Sequence, residues 1–269
     1  MSAGGPARPP GASGMLALRP EVCPPWLRPL VDNIAAIPDA YRRRLPADVL
    51  AMVTAKAVSA IASSRRLNGR EAAVLVLFSG PESGPSDGGV PDDADLLVTV
   101  RASSLRHHAG QAAFPGGAAD PTDDGPVATA LREAYEETGI EVSRLHPLAT
   151  MERTFIAPSQ FHVVPVLAYS PDPGPVAVVN EAETAVVARV PVRAFINPAN
   201  RLMVYRGDLG RRWAGPAFLL NEMLVWGFTG QVISAILDVA GWAQPWDPTD
   251  VRELDEAMAL VGEQGGSHR

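Results

Sequence analysis

The stretch GGAADPTDD at residues 116–124, followed by REAYEETGI at residues 132–140, is the most informative part of this chain. It joins a glycine turn, an acidic loop and three glutamates. At about 100° per residue, Glu133, Glu136 and Glu137 project within one sector of roughly 100° on a helix predicted from about Val127 to Thr138. An apolar stripe forms the opposite sector, with Val127, Leu131, Ala134, Tyr135 and Thr138. The pattern therefore predicts an amphipathic helix with one face in the core and one acidic face.

The acidic face favours a bound cation. Like charges three and four residues apart repel each other and destabilise a helix, so a metal ion would offset them. The glycines at 116 and 117 allow the backbone to approach an ion or a phosphate closely. Hard oxygen ligands favour Mg²⁺ or Mn²⁺. We therefore expect Glu133, Glu136 and Glu137 to bind the metal, with Gly116 or Gly117 contributing backbone atoms. The alternative is a solvated acidic face.

These residues resemble the box of the Nudix hydrolases, GX5EX7REUXEEXGU, in which U is aliphatic. Residues 132–140 match every fixed position, apart from a small residue at the first U. The left half departs from the pattern. Counting from Gly117 selects Asp123 as the acidic position, but eight residues then precede Arg132. Counting back from Arg132 selects Asp124 and puts an alanine at the glycine position. Because an aspartate replaces the glutamate in both cases, neither aspartate is expected to be a metal ligand.

A second resemblance lies upstream. The residues LVTVRA at 97–102, then Arg106, Gly110 and FPGG at 114–117, are similar to LLTXR[SA]X3RX3GX3FPGG, the signature of the coenzyme A pyrophosphatase branch of that family. The spacing agrees from Arg101 through Gly117. The departure is Val98, which stands at the second leucine of the signature. The segment VWGFTG at 225–230 resembles a Trp-Gly-aliphatic-Thr-Ala segment of the same branch. Arginine's planar fork suits phosphate oxygens, so Arg101 and Arg106 are expected to bind substrate phosphates.

The resemblance implies a fold, an activity and several residue roles. The fold is an α/β/α sandwich with a mixed central sheet. The first helix glutamate, Glu133, would also position or deprotonate water, and Arg132 would orient it. An acidic residue outside the box completes such sites in the family; Glu183 is the candidate, followed by Glu181 and Glu152. The substrate implied is coenzyme A or acyl-coenzyme A, cut at the pyrophosphate to 3',5'-ADP and 4'-phosphopantetheine or its acyl form.

Two other functions remain open. One is a Nudix pyrophosphatase acting on ADP-ribose or another nucleotide, which would have the same metal site. The other is a noncatalytic Nudix module that senses a nucleotide metabolite, which the altered left half of the box favours. The intact glutamates at 133, 136 and 137 favour an enzyme.

The composition of the chain limits the classes of binding partner and the cellular compartment that it fits. A net charge of −7 disfavours nonspecific binding to nucleic acid or to an anionic membrane. Cys23 is the sole cysteine, so no disulfide forms within the chain, as expected in a reducing compartment. The chain has no apolar run of the roughly 20 residues that a membrane span needs, and its start does not resemble a signal peptide. These features predict a cytoplasmic protein. They leave a phosphate-rich small molecule possible as a substrate, because a metal and local arginines would set the electrostatic field at the site.

The organisation along the chain follows from composition and periodicity. Residues 1–20 are rich in glycine, proline and alanine and are predicted to be a disordered tail. Residues 21–66 are predicted to be a helical extension, broken near Pro38 and Pro46, that either caps the sheet or forms a homodimer contact. Residues 67–269 would be the Nudix domain. Strands are predicted at 72–79, 95–101, 148–155, 161–169, 185–190 and 202–205, and helices at 228–240 and 251–261. A mixed sheet between helices follows from this order.

Overall fold

The computed structural model describes residues 17–43, 70–85, 89–102, 110–156, 159–208, 211–221 and 223–265. Arg106, the first part of the predicted tail and the second half of the predicted helical extension, including Pro46, lie outside the described residues. Contacts between residues divide the chain into two compact units, Met1–Asp32 with Arg70–Val192 and Asn33–Gly69 with Arg193–Arg269. The domain limits drawn from the sequence stay a prediction.

The helices of the described chain are α1 (Arg28–Asp32), α2 (Ile37–Arg42), α3 (Gly125–Thr138), α4 (Val192–Ile196), α5 (Gly227–Val239) and α6 (Leu254–Gly265). None of them is both long and apolar enough to cross a lipid bilayer. Eight strands form the sheet of the first unit: β1 (Arg70–Ser79), β2 (Asp95–Arg101), β3 (Ala112–Ala113), β4 (Gly116–Ala118), β5 (His146–Thr150), β6 (Thr154–Ile156), β7 (Phe161–Ser170) and β8 (Thr184–Pro191).

The first unit is a mixed sheet. Strands β1 and β7 run parallel at its centre, in register from Arg70 and Phe161 onward. Strands β2 and β4 pair antiparallel with β1, at its two ends. The remaining pairs are antiparallel as well, with β8 on β2 and both β5 and β6 on β7. This topology places β4 and β7 on opposite sides of β1.

Helical segments cover both faces of this sheet. Alternate residues of β1, including Leu75 and Leu77, are buried in one cluster with Leu131 of α3. Because successive side chains of a strand point to opposite faces, Phe78 projects to the other face, where its ring lies 6.3 Å from that of Trp26 just before α1. The Trp26 indole N–H donates to the carbonyl of Pro81 at 2.9 Å. The first unit is therefore the α/β/α sandwich that the sequence predicted.

Helix α3 forms where the acidic pattern placed it, but starts two residues earlier, at Gly125. Pro126 occupies its first turn, where a proline costs no hydrogen bond. Gly139 ends the helix in the left-handed conformation, with φ of 66°, and its amide donates to the carbonyl of Tyr135. The predicted apolar face is correct, because Ala134 and Thr138 are fully buried.

The second unit contains a separate sheet. Strands β9 (Arg201–Asp208), β10 (Arg211–Leu220) and β11 (Met223–Val225) form an antiparallel meander, and β12 (Val251–Glu253) joins β9 in parallel. Helix α5 packs closely on this meander at Gly230. A Cβ atom there would lie 2.8 Å from the carbonyl oxygen of Pro216 and 3.1 Å from that of Val225. Within this unit, the segment 225–230 is thus a tight helix-to-strand contact.

Several predicted elements need correction. The single strand expected at 148–155 is two strands, β5 and β6, separated by three residues without regular structure. The helix expected at 251–261 begins as β12 and becomes helical only from Leu254. Strand β10 was missed because Gly215 and Pro216, which weaken a strand pattern, lie within it. The interruption expected near Pro38 lies just before it, because α1 ends at Asp32 and Pro38 is in the first turn of α2.

Candidate metal and phosphate site

The structure places two of the helix glutamates beside the glycine turn. Strand β4 pairs with residues 72–74 of β1, and α3 lies against it. The amide of Gly116 donates to Oε2 of Glu137 at 3.3 Å. A Cβ atom at Gly117 would lie only 2.5 Å from Oε2 of Glu133. The glycines therefore let both carboxylates approach the backbone; the predicted approach of this backbone to an ion or a phosphate stays a prediction.

Gly116 is required by its neighbours as well. A Cβ atom at this position would overlap the carbonyl oxygen of Ala73 and lie 2.6 Å from the Cα atom of Val74. These are backbone atoms of a paired strand, which cannot move without breaking the sheet. The turn thus lies flush against β1 only because residue 116 has no side chain.

Arg132 connects the acidic loop to the helix carboxylates. Its Nη1 donates to Oε1 of Glu133 and to Oε2 of Glu136, each at 3.0 Å. Its Nη2 donates to the carbonyl of Ala118 at 2.9 Å and to Oδ2 of Asp123 at 2.9 Å, and Nε donates to Oδ1 of Asp123 at 3.0 Å. These five bonds equal the number of N–H groups on a guanidinium. The five acceptors fix the orientation of the Arg132 guanidinium.

Asp123, and not Asp124, is the acidic partner of this arginine. Besides the two bonds from Arg132, its Oδ2 accepts hydrogen bonds from the amide of Asp120 and the hydroxyl of Thr129, each at 2.9 Å. Burial raises the pKa of Asp123, but hydrogen bonds from Arg132, Asp120 and Thr129 outweigh it and hold the pKa below its usual value. Asp124 is exposed and precedes the first residue of α3. The Asp123 side chain, 7% exposed, has both oxygens engaged by the protein.

The left half of the box departs from the family pattern in side chain and in spacing. Counted from Gly117, the aspartate that meets Arg132 keeps the five-residue gap, and the additional residue lies between Asp123 and Arg132. The loop before Asp123 closes in a turn in which its amide donates to the carbonyl of Asp120 at 2.9 Å. Although aspartate is one methylene shorter than glutamate, Asp123 accepts hydrogen bonds from both Nε and Nη2 of Arg132.

Strand pairing brings Arg101 and Glu183 to the same region. Arg101, at the end of β2, pairs with Thr184, and the next amide, of Ala102, donates to the carbonyl of Glu183 at 2.9 Å. The positive charge of Arg101 lowers the pKa of Glu137, whereas the negative charge of Glu183 raises it. Both residues thus act electrostatically on the helix carboxylate. Nε of Arg101 is buried and has no hydrogen-bond partner among the described residues.

Burial raises the pKa of the carboxylates of Glu133 and Glu137. It is the main reason that the pKa of Glu137 is raised to about 7, with further increases from the charges of Glu133 and Glu183. The amide of Gly116 and the charge of Arg101 act in the opposite direction. The pKa of Glu133 is also raised by burial, and only partly lowered by Arg132. A cation placed between these groups would relieve this cost.

The donor chemistry fits a hard divalent ion. Both carboxylate oxygens of Glu133 lie beside Gly117, and Arg132 donates to Oε1. Within the described ranges, no three His, Cys, Asp or Glu side chains are gathered closely enough to hold one ion. Mg²⁺ commonly takes one or two carboxylates and completes its shell with water and substrate phosphate oxygens. Glu133 and Glu137 would therefore be the main protein ligands, with Glu136 held by Arg132 at the edge.

The other predicted residues are less central. Glu181 is exposed in the turn that leads to Glu183. Glu152 is exposed between β5 and β6, which lie across β1 from β4. Thr129 was not predicted. Its only signal in the sequence is a hydroxyl three residues before Arg132, on a helix whose neighbouring positions are apolar.

Removing the charge of Glu137 should stabilise the metal-free protein at pH 8. Its pKa is about 7 in the folded protein against an ordinary value of 4.5, so between these values the folded state binds more protons than the unfolded state. This contribution to stability is fully present below pH 4.5 and is lost as the pH rises through 7. In EDTA, we expect Glu137→Gln to raise the free energy of unfolding by about 1 kcal/mol or more at pH 8, and by much less at pH 5. Urea unfolding at both pH values measures this.

The control is Glu141→Gln. Glu141 is exposed just after α3, and hydrogen bonds from Ser143 and Arg144 lower its pKa. This variant should not gain stability at pH 8. An equal gain in both variants, or no gain in Glu137→Gln, would show that burial of Glu137 does not cost stability.

Comparison with known proteins is consistent with this geometry. The NUDIX domain model matches residues 82–206. Two relatives, from Yersinia pestis (strain Pestoides F) and Yersinia pseudotuberculosis serotype O:1b, are both described as the uncharacterized Nudix hydrolase NudL. Each is 35% identical over 144 residues, which cover 51% of this chain and 68% of the relative.

Solved structures are more distant. The Nudix hydrolase RenU from M. smegmatis has 24% identity and a TM-score of 0.36, over 46% of this chain and 72% of RenU. A Nudix hydrolase from Alicyclobacillus acidocaldarius has 24% identity and a TM-score of 0.37, over 47% of this chain and 81% of that protein.

Proposed function

Because this chain belongs to the Nudix hydrolase family, whose members generally hydrolyse nucleoside diphosphate derivatives with a divalent metal, we propose that its substrate is coenzyme A or an acyl-coenzyme A. Hydrolysis of the pyrophosphate would give 3',5'-ADP and 4'-phosphopantetheine or its acyl form. The metal would be Mg²⁺ or Mn²⁺. The cytoplasmic location and the homodimer stay predictions.

One observation carries the proposal. The segment 97–117, which resembles the coenzyme A pyrophosphatase signature, supplies both Arg101 and the glycine turn at the carboxylates. Nε of Arg101 is buried and lacks a partner within the described residues, and buried donors are rarely left unpaired. A phosphate oxygen of the substrate would provide the missing acceptor, in a charge-assisted bond.

Each residue then has a role. Glu133 and Glu137 would hold the metal, assisted by Glu136, by the backbone of Gly117 and by Glu183. When bound, the metal acts as a Lewis acid and lowers the pKa of its water. Glu133, whose pKa is raised by burial, is suited to accept a proton from the attacking water. Arg132 keeps Glu133 and Glu136 oriented.

Substrate phosphates would meet a different set of groups. Arg101 and Arg106 would bind their oxygens, and Gly116 would let the substrate lie against the backbone. Cleavage of ADP-ribose or another nucleotide would use the same carboxylates. The noncatalytic alternative has one observation in its favour, since no group of three ligand side chains is assembled within the described residues.

A substrate panel tests the proposal. Purified protein is incubated with coenzyme A, acetyl-coenzyme A, ADP-ribose and a diadenosine polyphosphate, with Mg²⁺ or Mn²⁺, and the products are separated by chromatography. We expect 3',5'-ADP and a phosphopantetheine product, and no turnover in EDTA. ADP-ribose cleavage with coenzyme A at background would refute the substrate. Binding without turnover of any compound would favour the sensor.

Paired arginine variants sharpen this test. Arg101→Gln should raise KM for coenzyme A by about 10-fold, because a charge-assisted bond to phosphate is lost. Arg144→Gln is the control, since Arg144 is a surface residue that pairs with Glu141 and Asp172, and it should leave KM unchanged. Equal KM values in the two variants would remove Arg101 from the phosphate site.

A further inference from the structure

We infer that Thr129 is a positioning residue for the hydrolytic site, acting through Asp123 and Arg132 on the carboxylates of Glu133 and Glu136. The inference rests on the proposed function of these carboxylates. Thr129 lies in the second turn of α3 and is 1% exposed. Neither the family pattern nor the helical periodicity assigns it a role.

The hydroxyl of Thr129 has two acceptors within reach. Oγ1 lies 2.9 Å from Oδ2 of Asp123 and 3.3 Å from the carbonyl of Gly125, one helical turn earlier. A hydroxyl donates one hydrogen, and a bond to a charged acceptor is shorter and stronger than one to a neutral carbonyl. The carboxylate of Asp123 is therefore the principal acceptor.

Two anchors fix the plane of this carboxylate. Oδ2 of Asp123 accepts from Thr129 on the helix and from the amide of Asp120 in the loop, each at 2.9 Å. The guanidinium of Arg132 then binds both oxygens of Asp123 in a planar fork. A planar bidentate pair transmits orientation, because rotation of one plane breaks one of the two bonds.

The Nη1 atom of the same guanidinium contacts the helix carboxylates. Nη1 of Arg132 donates to Glu133 and Glu136, each at 3.0 Å. A change in the plane of Asp123 would therefore shift the carboxylate of Glu133, which flanks the glycine turn, and that of Glu136. A chain of direct contacts thus links Thr129, which touches none of the reacting groups, to the residues that do.

The test compares three threonine variants. Thr129→Val keeps the shape but removes the hydroxyl, and Thr129→Ser keeps the hydroxyl. Thr138→Val is the matched control, because Thr138 is also fully buried on α3 but its hydroxyl donates to the carbonyl of Ala134. For Thr129→Val we expect kcat to fall by about 10-fold with KM nearly unchanged. Thr129→Ser should restore kcat to within about 2-fold, and Thr138→Val should keep it while losing stability.

A second readout separates this inference from the proposed function. Mn²⁺ affinity, measured by the electron paramagnetic resonance of free Mn²⁺ without substrate, should weaken several-fold in Thr129→Val and stay unchanged in Thr138→Val. Equal kcat and equal Mn²⁺ affinity in the two valine variants would overturn the inference. If the wild type binds Mn²⁺ but hydrolyses no compound of the panel, the proposed function fails, and the ratio of Mn²⁺ affinities still decides the role of Thr129. A wild type that binds no Mn²⁺ overturns both.

Discussion

Glu137→Gln should lower kcat by about 100-fold or more while the protein stays folded. Glu137 is a partly buried carboxylate that accepts a hydrogen bond from Gly116, and burial raises its pKa to about 7. Glutamine keeps its size and can still accept from Gly116, but it has no charge to offer a cation. The loss should therefore appear in metal-dependent turnover and not in folding.

Steady-state hydrolysis at saturating Mg²⁺ measures this effect, with circular dichroism as the check on folding. Glu141→Gln serves as the control, because it removes a glutamate from the exposed segment after the same helix. A Glu137→Gln protein that retains more than a tenth of wild-type turnover would exclude Glu137 as a principal metal ligand.

Gly116→Ala should lower the free energy of unfolding by about 3 kcal/mol. The new methyl group would overlap the carbonyl oxygen of Ala73 and crowd Val74. These atoms belong to a β1 segment whose pairing with β4 would have to open. We expect a lower midpoint in urea unfolding, and a drop in activity that follows the loss of folded protein.

Gly117→Ala is the comparison that isolates the backbone effect. The three atoms nearest its methyl group would belong to the carboxylate of Glu133, at 2.5–2.7 Å, and a carboxylate at the end of a flexible side chain can turn away. This variant should lose less than about 1 kcal/mol of stability but still lose activity, because Glu133 is displaced. Equal free energies of unfolding for the two alanine variants would contradict the conclusion that only residue 116 is packed against the backbone of β1.

The parts of this site that depend on local periodicity could be predicted from the sequence. The spacing of Glu133, Glu136 and Glu137 predicts a helix and its acidic face, and β1 contains an unbroken apolar run at 72–78. Strand β10 could not be predicted in this way, because Gly215 and Pro216 are tolerated there only through pairing with neighbouring strands. Local patterns contain no information on such partners.

Contacts between particular side chains could not be predicted from the sequence either. The sequence left Asp123 and Asp124 as equal candidates, because both lie in a loop where spacing alone does not identify the one that meets Arg132. The neighbourhood of Glu183 also depends on a nonlocal event, the pairing of β8 with β2. Electrostatic coupling between Glu183 and Glu137 follows from that pairing and from no feature of either segment alone.

The turn at Asp120–Asp123 has a consequence for how this loop can change. The loop holds Asp123 through the amide of Asp120, and α3 holds it through Thr129 and Arg132. The loop and the start of the helix therefore form one hydrogen-bonded unit. A change that opens the turn would also release the guanidinium that orients Glu133 and Glu136.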